Sequence, residues 1–336
     1  MTFRFAFVLG LAFIASSATA MAQDPSPKLS GGFIQYQGAT TALSKDDWLR
    51  VCQAMLNIGL KTVILQQTEF QDGETVTSYI PRKKGELDPT DIILKFADDK
   101  KMNVFVGLRY VKQWDTIRKN EGEATKQLDA NKLLASKVWD RYKKHPSFAG
   151  WYLPQELANY GYSDDEIAIL KGFFEALSKH CTTLANGKGV AISPYFNPCL
   201  AEPKQFSSDI KRIVGASDIS VIMLQDSVGE RQIDKLAIDE KVGPYFEEMK
   251  KICSPKQHLW ANLECFQRQR ETRSPLQDFG RFKAQFAGTK NYTSAFVTFD
   301  FFHFMNPYGY GHLSDKKYVE AEKALYEAYK KEFVGK

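Results

Sequence analysis

Two rhythms of apolar and polar positions succeed one another eight times along this chain. Short runs of strand character are each followed by a longer stretch with apolar residues three to four apart. The runs are GGFIQYQ (31–37), TVILQQ (62–67), NVFVGLRY (103–110), FAGWYLP (148–154), GVAISPYF (189–196), ISVIMLQ (219–225), HLWANLE (258–264) and SAFVTFDFF (294–302). Eight strands alternating with helices predict an α/β fold, a single (β/α)8 TIM barrel. An open doubly wound sheet would carry a glycine-rich first turn, and Gln35 to Gly38 bears no likeness to GxGxxG.

The helical stretches carry their own punctuation. Ser44 and Asp47 form a capping signal before a helix from Trp48 to Ile58, which Gly59 ends. Asp88 and Pro89 open the second helix. Further helices are expected over 129–143, 163–184, 204–214, 239–253, 275–287 and 314–333. No Pro/Gly/Ser-rich linker or internal repeat divides the chain.

The first residues have the rhythm of neither element. Arg4, an uncharged apolar run from Phe5 to Ala15, and the small residues Ala20 and Ala22 flanking Met21 predict a signal peptide over 1–22. That run is shorter than the roughly 20 residues that span a bilayer, so stable membrane insertion is not expected. Export to the periplasm or exterior is. Residues 23–30, with two prolines, read as a short disordered lead before a barrel domain over 31–336.

Charge changes this picture little. The formal net charge is +5 and falls by one when Arg4 leaves, and basic pairs such as Lys83 and Lys84 sit among acids, so nucleic acid is not an expected partner. Five cysteines at long spacings form no disulfide framework. Cys265, directly after Glu264, reads as a buried structural thiol, since no histidine lies near it in sequence.

In this fold the chemistry sits where the strands end. Those ends hold Gln35, Gln66, Arg109, Tyr195, Asn197, Gln225, Asp226, Asp300 and His303, a set rich in neutral amides and aromatics. Such groups suit a carbohydrate, which offers many hydroxyls and an apolar ring face. Few cations occur among them and no anion loop follows the seventh or eighth strand, which disfavours a phosphorylated ligand. Of five histidines only His303 falls at a strand end, so no catalytic metal and no cofactor are predicted. Nothing in the pattern fixes an oligomeric state.

Two glutamates give these ends a chemistry. Glu156 closes GWYLPQE on the fourth strand and Glu264 closes HLWANLE on the seventh, so both meet solvent at the barrel mouth. Retaining glycoside hydrolysis needs a protonated carboxyl and an ionised one about 5 to 5.5 Å apart. Burial beside Trp151 and Tyr152, with Glu264 nearby, is expected to raise the pKa of Glu156 and fit it for the acid role. By the two-residue period Trp260, Asn262 and Glu264 share one face, so Asn262 accompanies Glu264 inward. The alternative is a non-catalytic carbohydrate-binding barrel of a polysaccharide export or capture system, in which both glutamates accept hydrogen bonds.

The WYLPQE and LWANLE segments resemble the strand-four and strand-seven signatures of clan A retaining glycoside hydrolases. More closely, GGFIQYQ, TVILQQTE, FAGWYLPQE and VIMLQDSVG resemble a bacterial barrel family catalogued as a domain of unknown function, family 4434, from Gly31 to about Asn306. The resemblance implies Glu156 as acid/base, Glu264 as nucleophile, and Gln35, Gln66, Asp226 and Tyr195 as site-lining residues. One position departs from it: Gln155 stands where clan A enzymes usually carry the asparagine that binds the hydroxyl beside the reacting carbon.

Overall fold

Each of the eight runs forms a parallel strand, and the strands close into one ring. In the computed structural model, which describes residues 27–335 apart from 38, 39, 41, 270, 271, 313 and 314, these are β1 (Leu29–Ile34), β2 (Thr62–Leu65), β3 (Asn103–Gly107) and β4 (Phe148–Leu153), then β5 (Gly189–Ile192), β6 (Val221–Gln225), β7 (His258–Glu264) and β8 (Ala295–Phe299). Every strand pairs with its neighbours in sequence, and β1 pairs with both β2 and β8. That last pairing is what an open sheet lacks. The strands approach tightly where glycine allows it: a Cβ on Gly107 would lie 2.2 Å from the Gln66 carbonyl oxygen.

The helices between them are α1 (Lys45–Asn57), α2 (Pro89–Lys100), α3 (Glu121–Tyr142), α4 (Asp164–Leu184), α5 (Pro203–Val214), α6 (Gly243–Ile252), α7 (Phe279–Thr289) and α8 (Lys316–Phe333). Ser44 and Asp47 form the expected capping box at α1, Ser163 and Glu166 form another at α4, and Asp88 caps α2 with Pro89 in its first turn. Three expected boundaries move. The third helix starts at Glu121, capped by Asn120, and its first turns are anchored by the buried Ala124 and Gln127 among exposed polar residues. The stretch 239–253 breaks into Ile238–Lys241 and α6, since Pro244 in the first turn of α6 supplies no N–H to continue the earlier segment. Pro275 ends a strand, and α7 begins only after the Asp278 cap.

Two ribbons were not foreseen. Strand Glu69–Asp72 pairs antiparallel with Thr75–Ser78 and parallel with Arg109–Val111, and Phe266–Gln269 forms a hairpin with Thr272–Pro275 directly after β7. Of the lead expected over 23–30, Leu29 and Ser30 instead belong to β1, and 23–26 lie outside the described residues. Leu29 N–H donates to the Tyr329 hydroxyl of α8 at 2.7 Å and Ser30 Oγ to the Phe296 carbonyl at 2.9 Å. The segment expected to be a signal peptide, 1–22, lies outside the described residues. Among the described residues no helix is long and apolar enough to cross a membrane.

Strand alternation divides the core in two. Phe33, Ile64, Phe105, Tyr152, Met223, Trp260 and Val297 fill the barrel, while a larger layer between strands and helices holds Trp48, Trp151, Phe174 and Phe246. Burying Trp, Phe or Leu side chains on this scale sets a stiff frame, because truncating any one of them costs about 2–5 kcal/mol. The polar strand ends stand on that frame.

Candidate active site

At the carboxyl end of the barrel lies a cleft of about 180 Å³. Six of the expected residues line it: Gln35, Gln66, Glu156, Tyr195, Gln225 and Glu264. The two glutamates on which the sequence reading rests therefore meet at one site. They are joined by Tyr110 after β3, by Ser227, Glu230 and Arg231 after β6, by Phe266 and Arg273 of the hairpin after β7, and by Phe299 at the end of β8.

Glu156 has neutral company. Gln225 Nε2 donates to its Oε1 at 3.0 Å and to the Ser193 carbonyl at 3.0 Å, which fixes the amide between β5 and β4. Burial raises the Glu156 pKa above the usual carboxylate range. The Gln225 bond and the Arg273 charge hold it back, and the charges that add to the rise are Asp115 and Glu230. Burial was one expected cause; the other, the Glu264 charge, is not among the leading ones, and of the two flanking aromatics Tyr152 shares the barrel interior while Trp151 faces the helices.

Glu264 has anionic company. Its Oε2 accepts the Glu230 backbone N–H at 2.6 Å from the short helix Val228–Arg231. Behind it Asp226 is fully buried, accepting the Glu264 N–H at 3.2 Å, the Val228 N–H at 3.2 Å and Gln285 Nε2 of α7 at 2.5 Å. Gln285 also donates to the Glu264 carbonyl at 3.1 Å. Burial first, then the Asp226 charge, push Glu264 up to about 8, while Asp226 is pushed up to about 6 by burial. Two carboxyls in one dry site cannot both ionise cheaply. Gly229 makes this closeness possible, because a Cβ there would lie 2.2 Å from the Phe266 carbonyl oxygen and 3.2 Å from Glu264 Cβ.

Opposing these acids is Arg273. Its Nε donates to Glu230 at 2.9 Å, its guanidinium lies 4.9 Å from the centre of the Phe266 ring, and its charge acts on both Glu156 and Glu264. Glu230 takes a second arginine, Arg268, and these two cations hold its carboxyl below the usual range against the effect of burial. Two further groups suit a polyhydroxylated ligand. Gln66 Oε1 is buried without a hydrogen-bond partner among the described residues, and the Tyr195 hydroxyl bonds that of Tyr160, which donates to Asp115 at 3.1 Å.

The remaining expected residues stand elsewhere. Trp151 packs against Trp139 and Phe148 in the outer layer and donates Nε1 to the Cys181 carbonyl at 3.1 Å. Arg109 pairs with Glu69 at 2.6 Å across the first ribbon. Gln155 is buried and donates Nε2 to the Arg109 carbonyl at 2.7 Å, so the amide beside Glu156 braces the backbone instead of lining the cleft. Asn197 holds a turn, accepting the Cys199 N–H at 3.0 Å. Asn262 does face inward with Trp260 and Glu264, but it lies deeper, bonding Ser193 Oγ at 3.0 Å. Asp300 caps Phe301–Phe304 and bonds His303 Nδ1 at 2.7 Å; burial opposes the imidazolium, yet Asp300 raises the His303 pKa. Neither lines the cleft.

Of the residues sequence reading missed, Glu230 and Arg231 follow the sixth strand directly, and a strand-end search extended by five residues would have included them. Arg273 has no such signal, because only the hairpin brings it back over the barrel. All five cysteines are free, and Cys265 is buried, donating Sγ to the Phe299 and Asp300 carbonyls. Among the described residues no three His, Cys, Asp or Glu side chains gather as a metal site.

Known structures share this barrel. A candidate α-L-fucosidase of Bacteroides thetaiotaomicron VPI-5482 superposes with a TM-score of 0.73 at 22% identity, covering 92% of this chain and 96% of its own. The endo-1,4-β-D-mannanase of Thermotoga petrophila RKU-1 gives 0.61 at 12% identity, covering 90% and 99%, and the endo-1,4-β-mannanase of Rhizomucor miehei gives 0.59 at 14%, covering 91% and 95%. At these identities the likeness is one of fold. No curated protein matches the sequence. The family described as a domain of unknown function, DUF4434, matches residues 29–309, and the chain belongs to it.

Proposed function

We propose that this chain is an exported glycoside hydrolase acting on an oligosaccharide or polysaccharide with retention, Glu156 serving as acid/base and Glu264 as nucleophile. One observation carries the reading: glutamates that follow β4 and end β7 line a single cleft whose other walls hold glutamine amides and aromatic rings beside Glu230, Arg231 and Arg273. Glycosidases among the structures of the same fold add weight to it.

Burial raises the Glu156 pKa and so favours its protonated form, the one that can protonate the leaving oxygen. With Glu264 Oε2 fixed by the Glu230 N–H, its other oxygen is the one to bond the anomeric carbon. Attack requires Glu264 ionised, which Arg273 favours and Asp226 opposes. Glu156, deprotonated by the first step, then takes a proton from the water that releases the sugar. The test is product release from a panel of neutral and acidic glycans by wild type, Glu156→Gln and Glu264→Gln. Turnover by wild type alone is the expected result. The leader is tested by fractionating cells that express the full chain, with product expected outside the cytoplasm.

The Asp226–Glu264 pair favours a second reading, a carbohydrate-binding barrel without catalysis. A carboxyl that burial and a neighbouring carboxylate hold well above the usual range favours its neutral form, which can serve as a hydrogen-bond donor to a sugar. Saturable glycan binding with no product at any pH would decide for it.

A further inference from the structure

Arg281 stands in the first turn of α7, in the helix layer behind β7, and is only 8% exposed. Its Nη2 donates to the Phe266 carbonyl at 2.5 Å, two residues beyond Glu264. One helical turn on, Gln285 Nε2 holds both Asp226 Oδ2 and the Glu264 carbonyl. Residues four apart share a helix face, so α7 sets a cation and an amide against the back of the same carboxyl pair. Neither side chain lines the cleft.

A guanidinium keeps its proton inside a protein, so Arg281 carries a buried positive charge. Among the described residues it forms no ion pair, and its buried Nε has no hydrogen-bond partner. Such a charge is costly unless an anion lies close by. Burial works against it, and the carboxylates that favour it are Asp226, then Glu264, then Asp278. Asp278 is half exposed and already accepts the Gly280 N–H at 2.8 Å and Lys235 Nζ at 3.1 Å. Asp226 is fully buried and accepts only neutral N–H groups, from Val228, Glu264 and Gln285. The Cys265 thiol, also near Arg281, is held neutral by burial. Arg281 and Asp226 are thus two buried charges of opposite sign, neither with an ion pair of its own. On the cleft side of β7, Arg273 stands opposite, bonded to Glu230. The carboxyl pair therefore lies between two cations, one on each side of the strand.

We propose that Arg281 is a positioning residue of the site: from behind β7 its guanidinium supplies the positive charge against which the Asp226–Glu264 pair holds a negative one. As a claim about catalysis this rests on Glu264 being the nucleophile; the charge balance does not. Thermal melts test the balance without any substrate. Without Arg281 both carboxyls hold their protons more tightly in the folded chain, so more stability is lost as pH rises from the ordinary carboxylate range. The fall in melting temperature caused by Arg281→Met is therefore expected to be at least about twice as large at about pH 8 as at about pH 5. Arg281→Lys, which keeps the charge, and Arg281→Met/Asp226→Asn, which removes both charges, should show little of that widening. If Arg281→Met does not fold, recovery of folding by lysine or by the added Asp226→Asn supports the same pairing. An equal loss at both pH values, a widening that Asp226→Asn leaves untouched, or failure of all three variants to fold overturns it and leaves Arg281 as packing and a bond to the Phe266 carbonyl. On any glycan that wild type hydrolyses, Arg281→Met should move the rising pH limb of kcat/KM up by about one unit, and Arg281→Lys should restore it. An unmoved limb overturns the catalytic part alone. Absence of turnover by wild type fails the hydrolase reading, while the melts still decide the pairing.

Discussion

The ends of β4 and β7 present the same residue type to the same cleft in opposite surroundings. Glu156 stands at the end of a strand whose neighbours are amides and aromatic rings, and burial dominates its behaviour. Glu264 stands between a buried aspartate and a second glutamate; backbone N–H groups donate to Glu264 and Asp226, and two arginines to Glu230. Burial raises both, but only on the β7 side does a like charge add a second push of consequence. A role cannot therefore be assigned from residue type and strand number alone. The residue proposed as nucleophile is the one whose proton burial and a neighbouring carboxylate both hold in place, and ionising it depends on Arg273 and on the proton carried by its partner.

Removing either glutamate tests the comparison most severely. Glu156→Gln and Glu264→Gln should each lower kcat by roughly 10²–10⁴. Azide added to the alanine variants separates their roles on an activated substrate: Glu264→Ala should yield a glycosyl azide of inverted configuration, Glu156→Ala one of retained configuration. The opposite pair of products exchanges the two assignments.

Asp226→Asn addresses the β7 side alone. If Glu264 must be ionised in the free enzyme, kcat/KM rises with pH as it deprotonates, near pH 8, and removing the neighbouring charge should move that limb down by about one unit or more. The same variant has a stability signature. Asp226 and Glu264 both bind protons more tightly in the folded chain than in the unfolded one, so stability falls as pH rises from the ordinary carboxylate range through about 8. Asp226→Asn should flatten that fall in thermal melts taken across the pH range. An unmoved activity limb and an unaltered melt profile would make Asp226 a bystander.

Arg273→Gln should act in the other direction and more weakly. Loss of its positive charge raises the pH at which Glu264 ionises and lowers kcat/KM most at neutral pH, by about tenfold if the change is near one unit. Least affected in catalysis should be Trp151→Phe, which keeps the outer layer apolar but deletes the bond to the Cys181 carbonyl. It should cost about 1 kcal/mol of stability and leave KM unchanged; a raised KM would return Trp151 to the site.

The frame was legible because a barrel writes itself in short-range patterns. HLWANLE is β7 residue for residue, and Ser44, Asp88 and Ser163 mark helix starts by local hydrogen bonds. Placing Glu156 and Glu264 at one mouth followed from strand order. Trp151 was misplaced because two adjacent aromatics, Trp151 and Tyr152, leave the parity of the strand open, and only packing shows which faces the interior. The first ribbon did carry a signal, Asp72-Gly73 between Phe70 and Val76 with Gly73 at positive φ, of the kind that turns a hairpin. The cleft's electrostatics were not legible. They depend on Arg273 meeting Glu230 across 43 residues and on Asp226 lying behind Glu264, contacts that exist only once the loops have folded.

The contact between Leu29 and Tyr329 bears on the order in which the barrel is made. β1 is held by β8 on one side, and its first residue is tied to α8, so the ring cannot shut until segments 300 residues apart have both emerged from the ribosome. Until then β1 has only β2 beside it, and one edge of the growing sheet stays open. Across that span of 300 residues the barrel exists only as an unclosed sheet, in the state most able to pair with another strand.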